Sequence, residues 1–378
     1  MRRKINYTAF VPGQPSVPWS DVFLRGPSPL GSAILSGMAN EALGSELEGP
    51  VLVCGGAGYI GSHTVEVLLR RGVEVVVLDN LANGHRAALK TLGATLEVCD
   101  LGDPAGLDRV FAKHQPKAVI HFAALCYVGE SVTDPAKYYK ENVANTWELL
   151  EAMRRAGCRD IVFSSTCATY GEPKIVPIPD DHPQDPINPY GRTKLHMEHM
   201  MDDFAHAYGM RFSALRYFNA AGASTHADIG EDHRPETHLI PLVLQVALGT
   251  RKEILLFGDD YDTPDGTCIR DYIHVEDLAD AHLRALGKLQ AGTTKLAVNL
   301  GTGTGYSVLE VVETARRVTG HPIPARIVER RPGDPAMLVS GGTLAWELLG
   351  WKPQRAELED IVADAWRFLE RHPDGYED

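Results

Sequence analysis

The sequence predicts an α/β protein built on a doubly wound parallel sheet, with a smaller α/β part at its C-terminal end. Three observations carry this reading. A four-residue apolar run breaks into closely spaced glycines; further apolar runs recur at intervals long enough for a helix; and 44% hydrophobic with 23% charged residues over 378 positions can bury a large core. The formal charge of −13 opposes binding to phosphodiester backbones and anionic headgroups, so neither nucleic acid nor a membrane surface is an expected partner. No apolar run approaches the roughly 18 residues of a spanning helix.

Residues 1–49 contain Pro12, Pro15, Pro18, Pro27 and Pro29 and no sustained period, and are expected to form a flexible extension. Arg2, Arg3, Lys4 and Arg25 are matched there by Asp21, Glu41, Glu46 and Glu48, so the acidity belongs to residues 50–378. The apolar stretch Tyr7–Val11 is broken by Pro12, too soon for a signal-peptide core, and cytoplasmic residence is expected. Cys54, Cys99, Cys126, Cys158, Cys167 and Cys268 show neither close pairs nor metal-ligand spacing; reduced, packed cysteines and no metal are expected.

The first strand, Val51–Cys54, runs into Gly55-Gly56-Ala57-Gly58-Tyr59-Ile60-Gly61 and a helical pattern from Ser62 to Arg71. Glycines at 55, 58 and 61 allow a sharp turn, close approach to a pyrophosphate and tight helix packing, while the helix N-terminus offers free N–H groups. A second apolar strand, Glu74–Leu78, ends in Asp79, 18 residues beyond Gly61. An acid there accepts from both ribose hydroxyls and repels a 2′-phosphate, which favours NAD over NADP.

Strands follow at Thr95–Val98, Ala118–Phe122, Asp160–Ser164 and Arg211–Tyr217, which makes the sheet parallel and of Rossmann type. Ligands in such sheets lie across the carboxyl ends of the strands, so Asp100, Phe122-Ala123, Ser164-Ser165-Thr166 and Tyr217-Phe218-Asn219 should border one crevice. Downstream, Asn188 caps a helix with Pro189 at its first position. Tyr190 and Lys194 stand four apart on one face of it, and an ammonium near a phenol is expected to bring its pKa toward neutrality. The hydroxyls of Ser164-Ser165-Thr166 could pass a substrate proton to Tyr190, or simply cap the strand end.

The glycine pattern, the Ser/Thr hydroxyl and Tyr-x-x-x-Lys together resemble the extended short-chain dehydrogenase/reductase superfamily. Six finer blocks, Cys54–His63, His121–Ser131, Phe163–Gly171, Asn188–Lys194, Arg216–Gly222 and Arg270–Asp280, resemble its UDP-galactose 4-epimerase family over residues 51–378. The resemblance implies redox-neutral interconversion of UDP-glucose and UDP-galactose through a 4-keto sugar on tightly held NAD. It implies Tyr190 as the base for the sugar 4-hydroxyl, Thr166 as proton relay, and Lys194 as the ligand of the nicotinamide ribose. Both Thr166 and Tyr190 would touch substrate.

Cofactor contacts carry over to Gly55, Gly58, Tyr59, Ile60, Gly61, Asp79, Asn80, Asn83, Asp100, Leu101, Phe122, Ala123, Asn142, Lys194 and Tyr217. Cys126 stands where some members have a lysine. Residues 50–219 would form the NAD-binding domain and 220–378 the nucleotide-sugar part, with the chain crossing between them. Asn219, His238, Leu239, Arg270, Arg331, Asp334 and Leu338 would line the sugar-nucleotide site, the arginines supplying local positive charge. Asp259-Asp260-Tyr261 and Asp265-Gly266-Thr267 look like a polar loop on the uracil side. A homodimer is implied as well. A broader enzyme that also takes UDP-N-acetylglucosamine is the alternative, since Leu338 is intermediate in size. A 4,6-dehydratase would need an acid pair after Thr166, where Cys167-Ala168 stands.

Overall fold

The computed structural model describes residues 47–331 and 334–377. Most of the expected extension, residues 1–46, lies outside them. Order reaches upstream of the expected boundary at residue 50: Glu48 N donates to Gln290 Oε1 at 3.0 Å and Gln290 Nε2 donates to Glu48 O at 2.8 Å.

Six strands follow one another as read from the sequence: β1 (Val51–Cys54), β2 (Val75–Asp79), β3 (Thr95–Val98), β4 (Ala118–His121), β5 (Asp160–Thr166) and β6 (Arg211–Tyr217). The chain then adds β7 (Asn219–Ala221), β8 (Ile254–Phe257), β9 (Ile269–His274), β10 (Lys295–Leu300), β11 (Gly305–Ser307), β12 (Ala325–Val328) and β13 (Met337–Leu338). A seven-stranded sheet has the order β10-β6-β5-β4-β1-β2-β3 with every pair parallel. The reversal of strand order between β1 and β4 opens the crevice that such sheets use for ligands.

Period-two alternation explains how the sheet is covered. Val51 and Val53 face one core, shared with Val65 and Leu68 of the helix Tyr59–Arg70 and with Leu278 and Leu286 of the helix Val275–Gln290. Leu52 and Cys54 face the other, with Leu107, Leu149 and Met197 from the helices Pro104–His114, Asn145–Ala156 and Pro189–Tyr208. Apart from the partly exposed edge strand β3, these strands are largely buried on both faces and read as apolar runs, which is why they were legible.

β10 was not. Although it lies beyond residue 220, it pairs with β6 from Lys295↔Phe212 to Leu300↔Tyr217, and the helix Val275–Gln290 returns with it. Two small sheets make up the rest. In one, β9 pairs with β7 and β13 in parallel and with β11 antiparallel; the other is the pair β8–β12. They pack with the helices Leu239–Ala247, Val308–Thr319 and Leu358–Arg371 around Val243, Val311 and Ile361. No helix among the described residues is long and apolar enough to cross a membrane.

Candidate active site

At the end of β1, Gly55 adopts φ +77°, and a Cβ there would meet Ala123 N at 2.6 Å. A Cβ on Gly61 would lie 2.1 Å from Gly55 O, so only glycine lets the helix fold back onto the turn. Gly58 is different. A Cβ there would meet only Gly55 O, at 3.4 Å, so the absence of a side chain leaves room above the turn rather than relieving a clash. Gly58 caps the helix Tyr59–Arg70 without a side-chain bond, which leaves its first turn to an anion. An open glycine cradle at a helix N-terminus fits a pyrophosphate.

Asp79, at the end of β2, is buried. Its Oδ2 accepts from Ala57 N at 2.9 Å and its Oδ1 from Leu81 N at 2.8 Å, which ties the glycine turn to the acid. Burial outweighs these bonds and pushes its pKa up. Asn80 Nδ2 donates to Asp100 Oδ2 at 2.7 Å, and Asp100 Oδ1 accepts from Gly102 N, next to the buried Leu101; Asn83 is exposed beyond them. Phe122 and Ala123 both donate their N–H to Cys54 O. Asn142, an expected cofactor contact, is itself well bonded within the chain. Its Oδ1 accepts from Leu125 N, and its Nδ2 donates to Leu125 O and Thr193 Oγ1, so it braces the loop after β4.

The strand β5 runs two residues further than expected and carries Thr166 at its end. Thr166 Oγ1 accepts from Ala168 N at 3.1 Å, and the same side chain lies beside the Tyr190 phenol. The approach is fixed by the helix Pro189–Tyr208. Asn188 Oδ1 accepts from Gly191 N at 2.8 Å, and a Cβ on Gly191 would lie 2.4 Å from Ala168 O, so the helix start presses on the turn after β5.

Lys194 is buried, donates from Nζ to Ser164 O at 2.9 Å and sits 4.9 Å from the Phe163 ring centre. Burial pushes its ammonium down to about 8. The phenol corrects the expectation: burial pushes Tyr190 well above its ordinary value, and the neighbouring Cys126 adds to the rise, while only the Thr166 bond among its close partners works the other way. Helical spacing predicts that Tyr190 and Lys194 share a face; it does not predict how dry that face is. Tyr217 OH bonds Ser164 Oγ beside them.

Beneath these groups lies a buried frame that the sequence reading missed. Glu198, four residues past Lys194, takes both Nε and Nη2 of Arg216 and the hydroxyl proton of Ser165, and Arg216 Nη1 donates to Tyr170 OH at 3.0 Å. The spacing 190/194/198 on one helix was the available signal.

The expected nucleotide-sugar residues gather along β9. Arg270 pairs with Asp334 and sits opposite Leu338 in the β9–β13 register. Asn219 Nδ2 donates to Asp271 O at 3.1 Å, which stitches β7 to β9. The Arg331 guanidinium lies 3.9 Å over the Phe257 ring at the end of β8. The polar loop is closed on itself, with Arg330 stacked 4.0 Å over Tyr261 and Asp265 accepting from Thr267 N and Oγ1. His238, just before Leu239 opens the helix Leu239–Ala247, pairs with Glu231 and Glu236, and these carboxylates push its pKa up against its burial.

Residues 51–301 match the model of the NAD dependent epimerase/dehydratase family. The chain is 53% identical over 326 residues to a UDP-glucose 4-epimerase of Halalkalibacterium halodurans, covering 86% of this chain and 97% of that one. It is 52% identical over 330 residues to that of Streptococcus mutans, covering 87% and 99%. Among solved structures, UDP-glucose 4-epimerase from Brucella ovis in complex with NAD superposes with a TM-score of 0.82 at 50% identity, covering 84% of this chain and 97% of that one. The enzyme from Bifidobacterium longum in complex with NAD+ and UDP superposes with a TM-score of 0.82 at 40% identity, covering 86% and 99%.

Proposed function

The chain belongs to the NAD dependent epimerase/dehydratase family and epimerises UDP-glucose at C4 with NAD, and from that premise we propose how its own residues divide the work. NAD, when bound, would supply the hydride acceptor and donor for C4, which keeps the net reaction redox neutral. Gly55, Gly58, Gly61 and the open helix start would hold its pyrophosphate, and Asp79 would hold the adenosine ribose.

Tyr190 Oη takes the proton of the sugar 4-hydroxyl and gives it back, with Thr166 holding both hydroxyls in line. Because burial favours the protonated phenol, Tyr190 needs nearby positive charge, and Lys194 is the chain's own source of it. Arg270 and Arg331 take the diphosphate and uridine of the substrate, Asp334 holding Arg270 in place until then. Residues 50–219 with 275–300 carry the dinucleotide, and the small sheets carry the sugar nucleotide. A homodimer belongs to the same reading and rests on family likeness.

What supports this reading most is the placement of Thr166 at the end of β5 beside Tyr190 and buried Lys194, with only β4 between that strand and the β1 that carries the glycine turn. The test is to incubate the purified chain with UDP-galactose and no added dinucleotide and to resolve UDP-glucose by chromatography. Product without added NAD is expected; none with or without NAD overturns the reading. UDP-N-acetylglucosamine run in parallel reads whether Leu338 leaves room for the N-acetyl group.

A further inference from the structure

Between β7 and the helix Leu239–Ala247 the chain reads Glu231-Asp232-His233-Arg234-Pro235-Glu236-Thr237-His238, and four of these side chains turn inward to one point. One ligand atom from each of Glu231, His233, Glu236 and His238 lies within 4.8 Å of the other three. His238 Nδ1 is 2.7 Å from Glu231 Oε1, and His233 Nδ1 is 3.2 Å from the same oxygen and 3.7 Å from Glu236 Oε2. Four ligands on a tetrahedral zinc at about 2.1 Å would stand roughly 3.4 Å apart, within the spread of these distances.

The orientation is as telling as the spacing. Glu231 Oε1, His233 Nδ1 and His238 Nδ1 are buried atoms without a hydrogen-bond partner, although they lie within reach of one another. These atoms crowd one centre without forming an aligned hydrogen bond among themselves. The Glu231 side chain is only 7% exposed, so its free oxygen has no water to satisfy it. Glu236 is oriented for the same centre: its Oε1 accepts from Thr237 N at 2.6 Å and His238 N at 2.7 Å, which leaves Oε2 turned to His233. Two carboxylates buried together need two positive charges, which either the two imidazoliums or one divalent cation in their place can supply.

We propose that Glu231, His233, Glu236 and His238 form a four-coordinate site for a divalent cation of the zinc type. Two imidazoles and two carboxylates suit such an ion, and the filled coordination sphere makes it structural. Cysteine spacing gave no hint of the site because no cysteine takes part. The ion would clamp the segment that also meets the dinucleotide half, where the Tyr59 ring stands edge-on to His233 with centres 6.3 Å apart and Tyr127 OH donates to Pro235 O at 3.2 Å.

The test measures metal in the purified full-length chain by plasma mass spectrometry after incubation with zinc chloride and exhaustive dialysis, alongside His233→Ala. About one zinc per chain is expected in the parent, with loss of most of it in the variant while circular dichroism shows both folded. Chelation should lower the parent's melting temperature and leave the variant's unchanged. If His233→Ala does not fold, His238→Asn, whose parent side chain is 44% exposed, replaces it and must show the same loss. Cobalt in place of zinc should give tetrahedral d–d bands without thiolate charge transfer. A parent that retains no zinc, a variant that retains as much as the parent, or a thiolate band each overturns the proposal.

Discussion

On the side of the crevice proposed for the dinucleotide, the groups are fixed by backbone. Gly55 and Gly61 have no room for a Cβ, Asp79 is held by two amide N–H groups, and buried Lys194 is held by Ser164 O. On the nucleotide-sugar side the groups are held by one another: Arg270 by Asp334, 64 residues away, and Arg331 by the face of Phe257. The first wall is a set of local devices at the ends of long strands, each encoded within a few residues. The second is a meeting of side chains brought by a two-residue strand and by loops. Rigid local geometry suits the half that keeps its ligand through every turnover, and exchangeable side-chain pairs suit the half that must release product.

The sharpest way to separate the walls is Tyr190→Phe. Removing the proton acceptor should lower kcat by about 10²–10⁴-fold while the dinucleotide, read by chromatography of the denatured protein, stays bound. Loss of bound NAD in that variant would show that the walls are not independent. Arg270→Gln acts on the other side: losing one charge-assisted partner of a diphosphate is expected to reduce kcat/KM by roughly 10–100-fold, mostly in KM. A fall in kcat alone would remove Arg270 from binding.

Gly61→Ala tests the backbone wall, since its methyl meets Gly55 O. It should destabilise the protein by about 1–3 kcal/mol in urea unfolding and shed dinucleotide. A variant as stable as the parent would mean that the turn yields.

Acid should act on the same half. Burial pushes His121 down to about 3 and His63 and His282 down to about 4, so they are neutral in the folded chain. Below about 6.5 the unfolded chain binds more protons, and stability should fall from there toward pH 4. Melting of the parent and of His121→Gln at pH 7 and pH 5 checks this, the variant losing less on acidification; equal losses would clear His121. The smallest effect belongs to Arg331→Ala, where an exposed cation over an aromatic face should change KM a few-fold and leave kcat alone.

Reading the sequence reached as far as the local physics did. The glycine turn, the capped helix at Asn188 and the six apolar strands are dictated by sterics, dihedral preference and period-two burial, which act over a few residues, and they appear where expected. The residues of the nucleotide-sugar wall could be named from family likeness, but their pairing could not, because nothing local to Arg270 selects Asp334. Asn142 and His238, expected to contact ligand, also meet Leu125 and the carboxylates Glu231 and Glu236, partners that only folding brings together.

By itself, then, the sequence determined a parallel sheet with a dinucleotide turn and a tyrosine and lysine on one helical face. Tertiary structure decided that β10 returns to flank β6, that Glu198 and Arg216 underpin the catalytic strand, that Glu231, His233, Glu236 and His238 converge, and that the Tyr190 pKa rises rather than falls. The reason is one of range. Periodicity and turn chemistry are written in neighbouring residues, whereas ion pairing and desolvation depend on which distant surfaces exclude water together.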